Sequence, residues 1–228
     1  MTTSGTTAFA PNLTEIAEEA FERAGREMRS GYDLRTARRS LNFMLADWAN
    51  RGVNLWTMEQ GEVPLVPGTG SYTLPADTVD LVEHVIRTGS GATQADLTIT
   101  RISVSTYATI PNKATQARPI QLYVDRQSAA PVAHVWPVPD STQDYTLVYW
   151  RLRRMQDAGS GIQTQDMPFR FLPAMVAGLA YHIAMKIPEG AERIMMLKAA
   201  YDEAWTAAAN EDRDKSAVRL VPGSSFLR

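Results

Sequence analysis

Residues 34–56, LRTARRSLNFMLADWANRGVNLW, carry a helical pattern with a clear beginning and end. Their apolar residues recur at the spacings that place side chains on one face of a helix. The members of this stripe are Leu34, Ala37, Leu41, Met44, Leu45 and Trp48. Asp33 precedes the stripe as a candidate N-cap, and Gly52 follows it at the position of a left-handed C-terminal cap. The pattern predicts a helix that packs its stripe into a core.

Three further helical patterns accompany this helix. Asn12 opens a capping box in front of an apolar stripe, so a first helix begins there and forms a hairpin with the second. Pro168 or Pro173 suits the first turn of a strongly apolar third helix, which ends at Pro188. A fourth helix is predicted from about residue 191 to 212. The two C-terminal helices are expected to pack with the two N-terminal ones as a bundle.

Between these two pairs of helices, residues 57–156 change to strand-like alternation with Gly and Pro punctuation. Short extended pieces come first, and further strands are predicted at residues 79–87, 97–104, 120–124, 133–136 and 145–153. The last strand is partly apolar on both faces, which indicates a strand that is central or covered on both sides. The region is therefore predicted to be an antiparallel β subdomain.

The predicted fold class is α+β, a helical bundle of two N-terminal and two C-terminal helices with an inserted antiparallel β subdomain and an extended C-terminal tail. The expected domains are a flexible N-terminal arm at 1–11, the helical bundle at 12–56 and 167–212, the inserted β subdomain and link at 57–166, and the extended tail at 213–228. With 228 residues and 44% hydrophobic content, the chain can bury a substantial core.

Composition excludes several classes of function. The absence of cysteine removes disulfides, thiolate metal sites and cysteine nucleophiles. The net charge of −2 argues against a protein that binds nucleic acid mainly through an overall positive charge. The N-terminus lacks the pattern of a secretory signal, and no stretch approaches a membrane span, so we expect a soluble intracellular product without a membrane partner.

The sequence contains none of the common nucleotide-binding, metalloprotease or hydrolase motifs. The three histidines, His84, His134 and His182, lack metal-ligand spacing, so we expect neither a metal nor a cofactor. His182 lies on the apolar third helix and is interpreted as a buried, hydrogen-bonded core residue. Three carboxylate pairs are predicted to face solvent, namely Glu18 and Glu19, Asp202 and Glu203, and Glu211 and Asp212. Two carboxylates could still meet in space as a general acid and base, but surface solubility is the simpler explanation.

Two basic features and the C-terminal tail could form contacts. The basic features are Arg38 with Arg39, and Arg151 with Arg153 and Arg154. These arginines could lie at a subunit interface or near DNA phosphates, or they could simply be solvated surface charges. The second interpretation is the simpler one. The tail is too apolar for a solvated segment and too interrupted for a helix. It is either a strap across its own core or an arm onto a partner subunit.

The stretch ARRSLNFMLADWANRGVNLW, with Leu41, Leu45, Trp48, Gly52 and Trp56 at those spacings, resembles the head-to-tail adaptor (connector) proteins of short-tailed phages. The resemblance continues through SYTLPADTVDLVEHV, a β insertion and MPFRFLPAMVAGLAYHIAMKI, and then through a last helix that runs into a tail containing VPG. It therefore covers most of the chain in order.

The resemblance implies a non-enzymatic structural protein of the virion neck or tail, assembled in the host cytoplasm. Such proteins form homo-oligomeric, twelve-subunit rings under the portal protein, seal packaged DNA in the head and extend the DNA channel. They also provide the attachment platform for tail nozzle, needle or fibre proteins. DNA would pass through the channel without sequence-specific binding, and the net charge of −2 is consistent with a channel that does not hold phosphate tightly.

For this chain, the implied contacts with the portal or a neighbouring subunit involve the tail and one basic feature. The candidate contact residues are Val218, Leu220, Val221, Phe226, Leu227, Arg38 and Arg39. Two alternatives stay open at the level of sequence. One is another phage neck or tail protein, such as a stopper or tube component. The other is a virion-associated cell-wall hydrolase that uses a carboxylate pair.

Overall fold

A computed structural model describes residues 3–52 and 55–212 and divides the chain into two compact units. The helical unit comprises Met1–Leu55 and Asp157–Arg228, and the β unit comprises Trp56–Gln156. The predicted α+β fold class is confirmed in the described residues, whereas the predicted tail lies outside them. Residues 157–166, which the sequence pattern placed in a link after the β subdomain, belong to the helical unit.

The elements follow the chain in this order. The α-helices are α1 (Leu13–Ala24), α2 (Gly31–Asn50), α3 (Val104–Ala108), α4 (Leu172–Ala184) and α5 (Ile194–Glu211). The strands are β1 (Met58–Leu65), β2 (Ser71–Thr73), β3 (Thr78–Thr88), β4 (Ala95–Thr98), β5 (Thr100–Arg101), β6 (Gln121–Asp125), β7 (Val132–Trp136) and β8 (Tyr145–Arg153). Short 3-10 helices occupy Leu55–Thr57, Gly91–Thr93, Phe169–Phe171 and Pro188–Arg193. Every helix described is too short or too polar to span a membrane.

Both N-terminal helices begin with a capping box. Asn12 and Glu15 form the predicted box at α1. At α2 the predicted N-cap, Asp33, is wrong: Ser30 occupies that position and Asp33 lies three residues later as the reciprocal partner. Gly52 has the predicted left-handed conformation, with φ of +77°. The buried members of the α2 stripe confirm its predicted packing into a core, and they include Ala37, Leu41, Met44, Leu45 and Trp48.

The central helix of the helical unit is α4, which contacts α1, α2 and α5. A Cβ on Gly178 would lie 2.5 Å from Met44 Sδ and 2.8 Å from a ring carbon of Tyr201, so glycine permits this close packing. Trp48 packs on Trp205 with a ring-centroid distance of 4.7 Å, and its Nε1 donates a hydrogen bond to the Tyr201 hydroxyl at 2.7 Å. These contacts join α2, α4 and α5 into one core.

The C-terminal pair of helices departs from the predicted bounds. Pro173 lies in the first turn of α4, as predicted. The fourth helix begins at Ile194 and not at about residue 191, because residues 191–193 belong to the 3-10 helix Pro188–Arg193. This helix buries Leu197, Tyr201 and Ala208, and leaves most of its other side chains exposed.

The β unit contains two four-stranded sheets, with strand orders β1-β8-β3-β4 and β2-β7-β6-β5. The first sheet is antiparallel throughout, as predicted. In the second sheet, β5 pairs with β6 in parallel, so the prediction of a purely antiparallel subdomain is wrong for that pair. The predicted strand at 97–104 is divided between the two sheets and ends at the five-residue helix α3, which the sequence pattern did not reveal.

One hydrophobic core serves both sheets. Its side chains come from β3 and β8 of one sheet, as with Leu81 and Leu147, and from β6 and β7 of the other, as with Leu122 and Val135. Strand β8 lies between β1 and β3 and buries residues of both faces, which confirms its predicted central position. The β unit therefore has its own core, independent of the helical one.

Candidate interaction surfaces

A basic stripe runs along the exposed face of α2. Arg35, Arg38 and Arg39 are exposed, and Asn42 continues the row at the spacing i, i+3, i+4, i+7 that aligns side chains on one helix face. The next residue, Phe43, leaves 70% of its surface exposed. We call these five residues the basic stripe. They line a shallow surface hollow, so the arginines and the aromatic ring are presented together.

The charge of the basic stripe is not neutralised within the described part of the chain, where Arg35, Arg38 and Arg39 have no carboxylate within ion-pair distance. Lys186 lies beside the stripe and donates a hydrogen bond to Ser40 Oγ. The pKa of Lys186 is lowered, first by burial and then by the charge of Arg39. The surface is therefore locally positive, although the whole chain has a net charge of −2.

An acidic stripe runs along the exposed face of α1. Glu15, Glu18, Glu19 and Glu22 are all exposed and repeat the spacing of the basic stripe. Glu19 pairs with Arg23 at 2.7 Å. The carboxylates of Glu18 and Glu22 have no cation within ion-pair distance among the described residues. These four glutamates, named here the acidic stripe, leave α1 with an excess of negative charge on its outer face.

An apolar groove of about 420 Å³ borders the acidic stripe. Its apolar lining residues are Phe9, Pro11, Ile16, Phe169, Leu172, Pro173 and Val176. Phe9 and Phe169 are 71% and 68% exposed, so two aromatic rings remain open to solvent at this groove. Glu15, Glu19 and Arg23 also line it, and since Arg23 pairs with Glu19, the charged rim carries a net negative charge beside the apolar surface. Exposed apolar surface rimmed by charge is typical of a protein interaction site.

The second predicted basic feature is largely neutralised. Arg151 pairs with Glu59 at 2.7 Å and also with Asp77, and Arg153 pairs with Glu59 at 2.7 Å. The hydrogen bond and the charge of Arg151 hold the pKa of Asp77 below its ordinary value, which opposes the effect of burial. Arg154 is exposed. Since two of the three guanidinium groups already hold carboxylates, this cluster is poorly suited to bind phosphate.

The described residues contain no group of three His, Asp or Glu side chains that could hold a metal ion. His182 is half-buried at a surface hollow, so its predicted place in the core is wrong. Burial and the nearby charge of Lys186 lower its pKa.

Asp212, predicted to face solvent, has a fully buried side chain that pairs with Arg170, and that prediction is also wrong. Glu18, Glu19, Asp202, Glu203 and Glu211 are exposed as predicted.

The predicted contact residues fall into two groups. Arg38 and Arg39 lie exposed on α2, in a row with the unpredicted members Arg35 and Phe43. The other predicted contacts, Val218, Leu220, Val221, Phe226 and Leu227, lie outside the described residues. Helical spacing could have revealed the arginine row of α2 and the glutamate row of α1, but it could not reveal the groove, which combines residues distant in sequence.

Charged stripes and an exposed apolar groove on a small helical unit are typical of proteins that assemble with other proteins. The model of the SU10 adaptor protein family matches residues 11–223. The chain therefore belongs to the SU10 adaptor protein family, which confirms the resemblance to head-to-tail adaptors.

Comparisons with curated proteins and with solved structures give less support than the family model. No curated protein matches the chain. Among solved structures, a chain described as the neck of an empty GTA particle computed with C6 symmetry is 13% identical, with coverage of 98% of this chain and 99% of that chain. The TM-score is 0.26, and the family assignment does not depend on this match.

Proposed function

We propose that this protein is a non-enzymatic subunit of a head-to-tail adaptor ring in a phage particle. The observation that carries the proposal is the family match, which extends over residues 11–223 and so includes both units. In this role the ring docks under the portal protein, extends the DNA channel and gives tail nozzle, needle or fibre proteins a platform.

The surfaces of the helical unit support assembly. A small chain builds a channel when each copy contacts the next through two different surfaces, because such heterologous contacts close into a ring. The chain offers a basic stripe, an acidic stripe and an apolar groove, all of them exposed. We propose a ring of about twelve copies in the virion neck, assembled in the host cytoplasm, through which DNA passes without sequence-specific contacts.

The portal protein is the first partner to test. Purified full-length protein should be mixed with the portal ring of the same particle, and the mixture imaged by electron microscopy. We expect closed rings coaxial with the portal. Binding to a tail tube instead of the portal would assign the chain to the alternative class of stopper or tube proteins, and the absence of rings on the portal would contradict the proposal.

The tail is proposed to contact the portal or the adjacent copy through Val218, Leu220, Val221, Phe226 and Leu227. Apolar residues in an interrupted segment gain most by ordering against another surface. Deletion of residues 214–228 should therefore prevent full assembly on portal rings while the described helices and strands still fold. Full assembly without the tail would remove these residues from the proposed contact.

A peptidoglycan clearing assay tests the non-enzymatic part of the proposal against the hydrolase alternative. The exposed carboxylates of α1 lie beside an apolar groove, which favours a binding surface over a catalytic cleft. We expect no clearing by the purified protein. Clearing that is lost on substitution of one Asp or Glu would show that the chain is a hydrolase.

A further inference from the structure

We infer that neighbouring copies of this chain bind each other by placing the basic stripe of α2 against the acidic stripe and apolar groove of α1 and α4. The inference deepens the proposed function, since it rests on assembly of the chain with copies of itself. It names the two surfaces that meet and assigns Phe43 as the aromatic anchor between them.

The two stripes match in spacing and oppose each other in charge. Arg35, Arg38 and Arg39 stand at positions i, i+3 and i+4 of one helix, and Glu15, Glu18 and Glu19 stand at the same positions of the other. Rows with the same helical spacing can align along two packed helices. Glu19 already pairs with Arg23 and Glu15 accepts the capping hydrogen bond of Asn12, so alignment would bring the unpaired carboxylates of Glu18 and Glu22 within reach of the arginine row. Such charge complementarity favours the correct partner and register.

Within the described part of one chain, the arginines of the basic stripe do not form ion pairs with the glutamates of the acidic stripe. Among the described residues, no ion pair joins Arg35, Arg38 or Arg39 to a glutamate of α1. Glu18 and Glu22 likewise have no cation within ion-pair distance in that part of the chain. Because every copy carries both halves of the contact on different helices, the contact is heterologous, and a second copy is the partner that supplies both.

An apolar contact accompanies the charge match. Phe43 is 70% exposed and lies at the end of the arginine row, while the groove of about 420 Å³ lies beside the glutamate row. Aromatic residues that enter an apolar pocket, surrounded by polar contacts, commonly supply most of the binding energy of an interface. The exposed ring of one copy therefore has an apolar receiving surface on the next copy, beside the glutamate row.

A charge-exchange experiment tests the inference with full-length protein. One variant carries Arg38→Glu and Arg39→Glu, and the other carries Glu18→Arg and Glu22→Arg. Each variant alone then presents like charges at the contact, so its dissociation constant for self-association should rise by more than about tenfold. A mixture of the two variants should regain association, because every contact then joins an acidic stripe to a basic one. Sedimentation velocity over a concentration series measures both effects.

Matched controls separate this contact from general charge effects. The double variant Arg118→Glu and Arg154→Glu makes the same charge change at exposed positions of the β unit and should associate like the wild type. Phe43→Ser should weaken association more than Tyr32→Ser, a matched change at another exposed aromatic residue of α2. Equal thermal unfolding of all variants and the wild type will confirm that each variant is folded.

The outcomes distinguish the inferred contact from the proposed function. Rings that form equally well with either reversal, or reversed variants whose mixture does not associate, would overturn the contact and leave the adaptor ring standing. If the arginine reversal abolishes binding to duplex DNA and leaves self-association unchanged, the basic stripe serves DNA and the inference is wrong. Failure of the wild type to form rings, alone and on the portal, would overturn both.

Discussion

Asp33 controls the beginning of α2 through its carboxylate. Asp33 Oδ2 accepts hydrogen bonds from the backbone N–H groups of Arg29 and Ser30 and from Ser30 Oγ, and Arg26 reaches Oδ1 at 3.3 Å. The bond from the Arg29 backbone is the main reason that the pKa of Asp33 lies below its ordinary value, despite the opposing effect of burial. The folded state therefore stabilises the ionised carboxylate.

Substitution of Asp33 by Asn should lower the free energy of unfolding by about 0.5–2 kcal/mol at pH 7, the range for loss of a helix-capping side chain. The folded pKa lies below the unfolded value of 3.8, so this contribution is complete well above pH 3.8 and disappears as the pH falls through the folded pKa. Urea unfolding between pH 7 and pH 3 should show the two proteins converge in acid. A difference that stays constant or grows in acid would contradict this account.

Asp47 provides the control for this substitution. It is exposed and pairs with Arg51 one helical turn away, at 2.6 Å. Exposed pairs of this kind contribute about 0.3–0.5 kcal/mol. Asp47→Asn should therefore have a much smaller effect at pH 7 than Asp33→Asn.

The hydrogen bond from Trp48 to Tyr201 gives a second prediction for a single residue. Both side chains are buried, and the Tyr201 hydroxyl accepts the indole N–H at 2.7 Å. Tyr201→Phe leaves that donor without its partner, so the free energy of unfolding should fall by about 1–3 kcal/mol. Tyr32→Phe, at a position that is 65% exposed, is the control. Equal stability of the two variants in urea would show that the bond contributes little.

At the scale of elements, the ion pair between Arg170 and Asp212 connects the C-terminal end of α5 to the 3-10 helix that precedes α4. The side chain of Asp212 is fully buried, so removal of Arg170 leaves a buried charge without its partner. Arg170→Met should therefore lower the free energy of unfolding by about 3–5 kcal/mol. The double variant Arg170→Met with Asp212→Leu should recover much of that loss. Calorimetry can compare the three proteins, and a double variant as unstable as the single one would refute the explanation.

The elements that could be predicted from sequence were those specified locally. The capping box and apolar spacing located α1, apolar spacing located α2, and alternation located β8 with its full length, because each pattern lies within one element. The division of residues 97–104 depends on pairing with distant strands: β4 joins β3 in one sheet, and β5 joins β6 in the other. No local pattern reports such a change of sheet.

The candidate surfaces were predictable to a smaller extent. Arg38 and Arg39 were recognised as a basic feature, and the structure confirms only that they are exposed. Phe43 was not selected, because an apolar residue beside a helical stripe resembles an edge of the core until its exposure is known. Asp212 shows the converse, since a carboxylate at a helix end gave no sign that its side chain would be buried in a pair with Arg170.

At the scale of the whole molecule, the small net charge conceals separated surfaces of opposite sign. If copies associate through the two stripes, then association should weaken as salt rises from 0.1 M to 1 M, because the screening length falls from about 10 Å to about 3 Å. We expect the dissociation constant to rise by more than about tenfold, as measured by mass photometry or sedimentation. Association that strengthens with salt would indicate a contact dominated by apolar burial instead.

The central claim concerns the place of the chain in a particle. A cryo-electron microscopy reconstruction of intact particles that contain this protein tests it most directly, because it shows location, copy number and neighbours together. The account predicts a closed ring of copies of this chain immediately below the portal and coaxial with the DNA channel, with the helical units in contact around the ring. Particles that lack the chain, or that carry it only away from the portal, would contradict the account.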